Sequence, residues 1–97
     1  MFDIRQTHDF KKWLSKLKDS NAKARINTRI RKMQLGNLGD CKPIGSGISE
    51  ARITYGPGYR LYFVKSGNAL IVLLCGGDKS TQSDDISKAK RIKKELE

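Results

Sequence analysis

The chain has 97 residues and a formal net charge of +10, with 37% hydrophobic and 31% charged residues. This length predicts one domain, residues 1–97, and the composition excludes collagen-like and low-complexity chains. The longest apolar run, residues 69–75, is far shorter than the roughly 20 residues of a membrane span. The N-terminus lacks a secretory signal, and two cysteines with one histidine make neither a disulfide framework nor a zinc site. We therefore expect a cytoplasmic protein without a metal, a cofactor or a membrane partner.

Positive charge is concentrated in the first third of the chain. Residues 1–35 hold ten basic and three acidic side chains, a net charge of +7, whereas residues 36–97 hold ten and seven, a net charge of +3. Such an excess costs self-repulsion and favours a polyanionic partner, either a nucleic acid or ribonucleoprotein or an acidic protein. The remaining interpretation is a solvated basic surface that only aids solubility.

The first third predicts a short edge strand at residues 2–4 and then two amphipathic helices. Thr7 and Ser20 are placed to cap the starts of the two helices, and Gly36 is placed to end the second. The apolar residues recur at helical spacing, as one stripe on each helix. These stripes are Phe10, Trp13, Leu14 and Leu17, and Ala22, Ile26, Ile30 and Met33. Two such helices with a short connection predict an αα-hairpin.

The outer faces of this hairpin are basic. Lysine and arginine neutralise phosphates, so a shared face of this kind is suited to RNA, although each helix taken alone is an ordinary solvated face. We call the seven side chains that fall largely off the apolar stripes the basic wall: Lys11, Lys12, Lys23, Arg25, Arg29, Arg31 and Lys32.

The rest of the chain predicts strands and a final helix. Residues 41–44 are extended, and Pro43 confines them to a sheet edge or a strand end. A helix is expected over residues 80–97. Between residues 41–44 and this helix lie three strands, at residues 48–55, 59–65 and 69–75, which are separated by glycine-containing turns. Helices before strands indicate an α+β fold, with the αα-hairpin packed on a small, mainly antiparallel sheet and a C-terminal helix.

The hairpin of the first two of these strands has one apolar and one polar face. A three-residue loop over residues 56–58 would place Tyr55 opposite Tyr59. Because side chains alternate between faces, the register sorts them into two sets. The core face carries Ala51, Ile53, Tyr55, Tyr59, Leu61 and Phe63. The other face carries Glu50, Arg52, Thr54, Arg60, Tyr62 and Val64.

The two arginines in mid-sheet are candidate ligand-binding residues. A guanidinium group there needs water, a carboxylate or a ligand, and its planar shape suits phosphate oxygens. Arg52 and Arg60 therefore either bind an anion or are neutralised within the fold by Glu50 or Asp84. Both alternatives stay open from the residues alone.

Residues 76–82 predict a loop that leads into the final helix. Backbone amides at a helix start, together with Lys79, can bind an anion. The spacing of glycine, lysine and serine is not that of a P-loop. Ser80 or Thr81 could instead serve only as a helix cap, which leaves Lys79 as the stronger candidate for anion binding.

These segments resemble the RelE/ParE toxin superfamily, most closely its HigB-like, phage-related "addiction module killer" branch. The resemblance covers essentially the whole chain and is carried above all by Gly56-Pro57-Gly58-Tyr59-Arg60 and Gly76-Gly77-Asp78-Lys79-Ser80-Thr81-Gln82. It implies the RelE-like fold and the toxin of a type II toxin–antitoxin system. RelE-like members bind the ribosome and cut mRNA, whereas ParE-like members inhibit DNA gyrase. The implied partners are a HigA-like, helix-turn-helix antitoxin, the ribosome and mRNA, with DNA reached only through the antitoxin complex.

The resemblance also implies roles for single residues. Arg60 matches an arginine that contacts the scissile phosphate, Arg52 a basic strand position near it, and Lys79 a residue that stabilises transition-state charge. A second basic strand position of the nucleases is Glu50 here. Residues 83–97 lack the C-terminal tyrosine or histidine of well-studied nucleases.

The expected reaction is attack of a ribose 2′-hydroxyl on the adjacent phosphate. Arg52, Arg60 and Lys79 would stabilise the developing charge, and the basic wall would bind ribosomal RNA. The base would be Glu50, if unpaired, or Tyr62, a weaker candidate because a free phenol has a pKa of about 10. The alternatives are a gyrase inhibitor, which the missing C-terminal residue favours, a ribosome binder without cleavage, or a basic nucleic-acid module without toxicity.

Overall fold

The computed structural model describes residues 1–97 and contains five strands and three α-helices. The strands are β1 (Asp3–Gln6), β2 (Cys41–Gly45), β3 (Ile48–Ile53), β4 (Tyr59–Ser66) and β5 (Leu70–Asp78). The helices are α1 (His8–Lys16), α2 (Ser20–Gln34) and α3 (Gln82–Leu96), and one 3-10 turn, Lys79–Thr81, precedes α3. The predicted α+β class is confirmed. No helix combines the length and apolar character needed to cross a membrane.

The αα-hairpin begins and ends at capping residues. The Thr7 hydroxyl accepts a backbone N–H hydrogen bond of 3.1 Å from the first turn of α1, as predicted. The cap of α2 is Asp19 and not Ser20, because the Asp19 carboxylate accepts two amide hydrogen bonds at the helix start. A carboxylate there also complements the positive end of the helix dipole. Gly36 follows α2 at a φ of +96°, the left-handed conformation that ends many helices.

The five strands form one mixed sheet in the order β1-β5-β4-β3-β2. The three pairings among β2, β3, β4 and β5 are antiparallel, as predicted. β1 is the predicted N-terminal edge strand, but it pairs in parallel with β5, which makes the sheet mixed. β2 lies at the opposite edge of the sheet, the kind of position to which Pro43 was expected to confine it.

Each face of the sheet is covered by a different helical element. The αα-hairpin packs on one face through Phe10, Ala22, Ile26 and Met33, against Ala51, Ile53, Tyr59, Leu61, Phe63, Ile71 and Leu73 of the strands. On the other face, α3 packs through Ala89 and Ile92 against Ile48, Tyr62, Leu74 and Cys75. The second core is the smaller one, with 6 buried residues against 11 on the first face.

The β3–β4 hairpin has the predicted faces but a different register. Ile53, and not Tyr55, lies opposite Tyr59, so Arg52 lies opposite Arg60. The connecting loop is therefore longer than the expected three residues. A shift of two residues keeps every side chain on its face, because side chains alternate with a period of two. The new register places the two arginines directly across from each other.

The end of β5 corrects the prediction for residues 76–82. Gly76 and Gly77 are not in a loop: they extend β5 and pair with β4. A Cβ atom on Gly76 would overlap the Trp13 ring of α1, and one on Gly77 would overlap the Asp85 carboxylate of α3. Glycine is needed at both positions because helices approach the strand closely from both sides.

Replacing Gly76 by alanine is expected to destabilise the protein by about 1–3 kcal/mol, because the added methyl group displaces the Trp13 ring. Urea denaturation followed by circular dichroism measures this loss. Gly67→Asn is the control, since nothing lies within 4 Å of that turn position and asparagine tolerates its left-handed conformation. Equal midpoints for Gly76→Ala and the unmodified protein would contradict the close contact.

Candidate functional site

Three of the predicted site residues line one cleft at an end of the sheet. Arg52 of β3, Arg60 of β4 and Lys79, which directly follows β5, surround a cavity of about 430 Å³. The sheet register explains their convergence, because Arg60 pairs with Arg52 on one side and with Gly77 on the other. The β3–β4 loop and Asp40 complete the wall. We refer to this cavity as the cationic cleft.

A buried carboxylate fixes Arg60. The Glu50 side chain is fully buried, and its Oε1 lies 3.4 Å from Nη1 of Arg60. Its Oε2 accepts a hydrogen bond of 2.9 Å from Nε2 of Gln82, at the start of α3. Both interactions are needed, since an unpaired buried carboxylate is strongly destabilising. Of the two carboxylates that could neutralise Arg60, the structure therefore selects Glu50 and not Asp84.

Arg52 has a different partner from the one nearest in sequence. Its Nη2 lies 3.0 Å from Oδ1 of Asp40, and both side chains are about half exposed. Glu50 does not contact Arg52, because its two oxygens are directed to Arg60 and Gln82. Sequence reasoning missed Asp40, although the residue closes the glycine-containing segment that precedes β2. An exposed pair of this kind is weak and can be displaced by a ligand.

The two arginines retain donors that no protein atom uses. The Nε atoms of Arg52 and Arg60 are buried and have no hydrogen-bond partner. A buried N–H group without an acceptor costs free energy, so the fold bears this cost to hold both arginines in place. Lys79 is exposed and takes part in none of the four ion pairs. The arrangement can therefore bind a phosphate group through up to three cations.

The two predicted bases lie away from the cationic cleft. Tyr62 is fully buried, and burial together with the nearby Glu50 carboxylate raises the pKa of its phenol well above the usual range. Neither Glu50 nor Tyr62 lines the cavity, so both are misplaced to accept a proton from a ligand there. The carboxylate that does line the cationic cleft is that of Asp40. No three His, Cys, Asp or Glu side chains are grouped closely enough to hold a metal ion.

Three members of the basic wall line a second cavity, beside the cationic cleft. Arg25, Arg29 and Lys32 of α2 face Arg52 across a space of about 730 Å³. Arg29 does not serve as a free RNA-binding cation, because its guanidinium donates to three backbone carbonyls. The acceptors are the carbonyl oxygens of Leu38 at 2.9 Å, Asp40 at 2.7 Å and Arg52 at 2.8 Å.

The other members of the basic wall do not share this surface. Lys11 lies beside the β1 edge, in a shallow hollow with Ile4, Arg5 and Gln6. Lys23 donates to the Ser15 carbonyl at 3.2 Å and so connects α2 to α1. The two remaining side chains, Lys12 and Arg31, are exposed and line none of the three main cavities. The basic wall is therefore several separate groups, of which Arg25 and Lys32 extend the cationic cleft.

Arg60→Ala is expected to destabilise the protein by about 3–5 kcal/mol, because Glu50 is left buried without its charged partner. The double variant Arg60→Met with Glu50→Gln removes both charges and should recover most of this loss. Urea denaturation of the three proteins measures the difference. If Arg60→Ala were as stable as the unmodified protein, Glu50 could not depend on Arg60.

The buried phenol of Tyr62 predicts a loss of stability at alkaline pH. Its pKa is raised from 10.0, so above pH 10 the unfolded chain releases this proton while the folded chain retains it. The stabilisation is complete below pH 10 and declines above it. Tyr62→Phe should flatten this decline, measured as the free energy of unfolding against pH. A Cys75→Ala background is used because burial raises the Cys75 pKa to about 12. An unchanged slope in Tyr62→Phe would contradict the prediction.

Comparison with known proteins places the chain beside a protein of Haemophilus influenzae. No protein-family model matches the chain. The Haemophilus influenzae protein, described as uncharacterized, is 53% identical over 93 residues, which cover 96% of this chain and 94% of the relative. The chain therefore belongs to the same family as this Haemophilus influenzae protein.

Proposed function

We propose that the protein is the toxin of a type II toxin–antitoxin system and a ribosome-dependent mRNA endoribonuclease that acts through the cationic cleft. One observation carries the proposal: Arg52, Arg60 and Lys79, from three different strand ends, line a single cavity. Lys79 is exposed and the Arg52 side chain is 40% exposed, so both present cationic donors to a ligand from solvent. A phosphodiester supplies the oxygens that such donors need.

The geometry supports stabilisation of charge on a reacting phosphate. When a 2′-hydroxyl attacks the adjacent phosphorus, negative charge accumulates on the equatorial oxygens. Arg60 is held by Glu50 before any ligand arrives, so little reorganisation is needed when that charge develops. Lys79 adds a mobile cation at the rim of the cleft. Binding through these cations, with Arg25 and Lys32 beside them, should weaken steeply as the salt concentration rises.

The cationic cleft contains few groups that could accept a proton. Glu50 and Tyr62 are both fully buried, and only Asp40 presents a carboxylate to the cavity, where it is paired with Arg52. In the proposed reaction Asp40 accepts the 2′-hydroxyl proton as the new P–O bond forms, the bond to the 5′-oxygen breaks, and that oxygen leaves with a proton from water. The ribosome contributes the orientation of the mRNA, an effect that alone lowers barriers substantially. The burial of both expected bases favours a second candidate function, binding to the ribosome without cleavage.

The architecture is consistent with the RelE-like fold that the sequence resembles. The αα-hairpin covers one face of the sheet, α3 covers the other, and the cationic cleft lies at the strand ends beside the β3–β4 loop. Under the proposal the protein acts in the cytoplasm. Its partners are the ribosome, mRNA and a HigA-like, helix-turn-helix antitoxin, and DNA is reached only through the antitoxin complex.

Lys79→Gln tests the proposal without disturbing the fold, because Lys79 is exposed and has no ion pair. In a purified translation system, the unmodified protein should create new mRNA 5′ ends at codon boundaries only when ribosomes are present. Lys79→Gln should lower the cleavage rate by about a hundredfold, the typical effect of removing one transition-state donor. Lys90→Gln is the matched control, since it removes the same charge from an exposed position on α3.

The remaining outcomes separate the candidate functions. Intact mRNA with stalled translation would assign ribosome binding without cleavage. Intact mRNA with unaffected translation would overturn both, and a supercoiling assay would then test inhibition of DNA gyrase. Equal cleavage by Lys79→Gln and Lys90→Gln would exclude the cationic cleft as the site of reaction.

A further inference from the structure

The second cavity adjoins the cationic cleft. It lies between α2 and the end of β3 and encloses about 730 Å³, within the range of about 300–1,000 Å³ that is usual for small-ligand sites. Four residues line both cavities: Asp40, Arg52, Ile53 and Thr54. A polymer with a phosphate at Arg52 in the cationic cleft would therefore place its neighbouring unit in the second cavity.

The lining of the second cavity combines positive charge with neutral hydrogen-bonding groups. Arg25 and Lys32 are exposed, whereas the single carboxylate, Asp40, is already paired with Arg52. Asn21, Thr28 and Thr54 add amide and hydroxyl groups that both donate and accept hydrogen bonds. Cations alone would suit any polyanion, but neutral donors and acceptors beside them suit the edge of a nucleobase.

A cation–π pair forms part of the wall of this cavity. The Arg25 guanidinium lies 4.5 Å from the centroid of the Tyr55 ring. The Tyr55 hydroxyl donates a hydrogen bond of 3.0 Å to Oδ2 of Asp19, the residue that caps α2. The ring is thus fixed before any ligand binds, and Arg25 itself is exposed at the cavity. Arginine planes and aromatic rings are the surfaces on which unpaired bases stack.

We propose that the second cavity is a subsite for the unpaired nucleotide next to the phosphate in the cationic cleft. The base stacks on the Arg25 guanidinium, and Thr28 and Thr54 contact its polar edge. This inference rests on the proposed function, because it takes the bound polymer to be RNA. It adds that the protein selects single-stranded RNA, since stacking requires a base that is free of its partner. An acidic protein segment would use the cations but not the stack.

The test compares a single-stranded RNA hexamer with an abasic strand of the same length. Both carry a fluorescent label, and anisotropy with the full chain gives the dissociation constants without ribosomes. The hexamer should bind about tenfold more tightly, the order of magnitude of one stacked base. Arg25→Gln should abolish this difference, while Arg91→Gln, the same change at an exposed α3 position outside the cavity and the basic wall, should preserve it.

A second variant separates stacking from charge. Tyr55→Leu keeps every cation but removes the ring that supports Arg25, so it should weaken binding of the hexamer and leave that of the abasic strand unchanged. Circular dichroism confirms that each variant is folded. Equal affinity of the unmodified protein for both strands, or no hexamer binding, would overturn the subsite.

The outcomes distinguish this inference from the proposed function. Base-independent binding by a protein that still cuts mRNA would overturn the subsite alone. Base-dependent binding by a protein that neither cuts mRNA nor stalls translation would support the subsite and overturn the proposed function. Tighter binding of a glutamate-rich peptide than of the hexamer would overturn the nucleotide assignment and give the cavity to an acidic protein.

Discussion

The fully buried carboxylate of Glu50 constrains the rest of the structure. It takes one partner from β4, Arg60, and one from α3, Gln82, while it belongs to β3 itself. A charge removed from water must meet its partners in good geometry, so these three elements cannot shift independently without a large cost in free energy. The orientation of the Arg60 guanidinium at the cationic cleft follows from that constraint.

The cations that contribute to the net charge of +10 include two physically different groups. Arg29 and Arg60 belong to the first group, because their guanidinium groups are used largely inside the protein, on three carbonyls and on Glu50. Arg25, Lys32 and Lys79 belong to the second group and are exposed at adjoining cavities. The attraction of this protein for a polyanion therefore depends on where a few cations lie rather than on their total number.

Local signals predicted much of the fold, and contacts between distant segments decided the rest. Helix caps, the apolar stripes and the two faces of the hairpin depend on residues a few positions apart, and they were predictable, with the cap of α2 misplaced by one residue. The hairpin register was not, because Tyr55 leaves the ladder to bond Asp19 in another element. Gly76 and Gly77 indicated a loop, but they lie within β5. They are glycines because Trp13 approaches the strand on one side and Asp85 on the other. Alternation predicted a shared face for Arg52 and Arg60, whereas only the family resemblance grouped Lys79 with them. The burial of Glu50 could not be inferred from alternation alone.

The parallel pairing of β1 with β5 has a consequence for how this protein acquires its shape. Asp3 meets Leu70 and Gln6 meets Leu73, so the sheet closes only when segments far apart in sequence find each other. The chain loses entropy when it closes the long loop between these segments, and it does so before the contacts stabilise the fold. Such non-local contacts therefore slow folding. The contacts that hold Arg60 through Glu50 are complete only when Gln82 of α3, which follows β5 in the chain, donates to Glu50. The ordered position of Arg60 at the cationic cleft therefore depends on the whole folded chain. A fragment that stops before α3 lacks it.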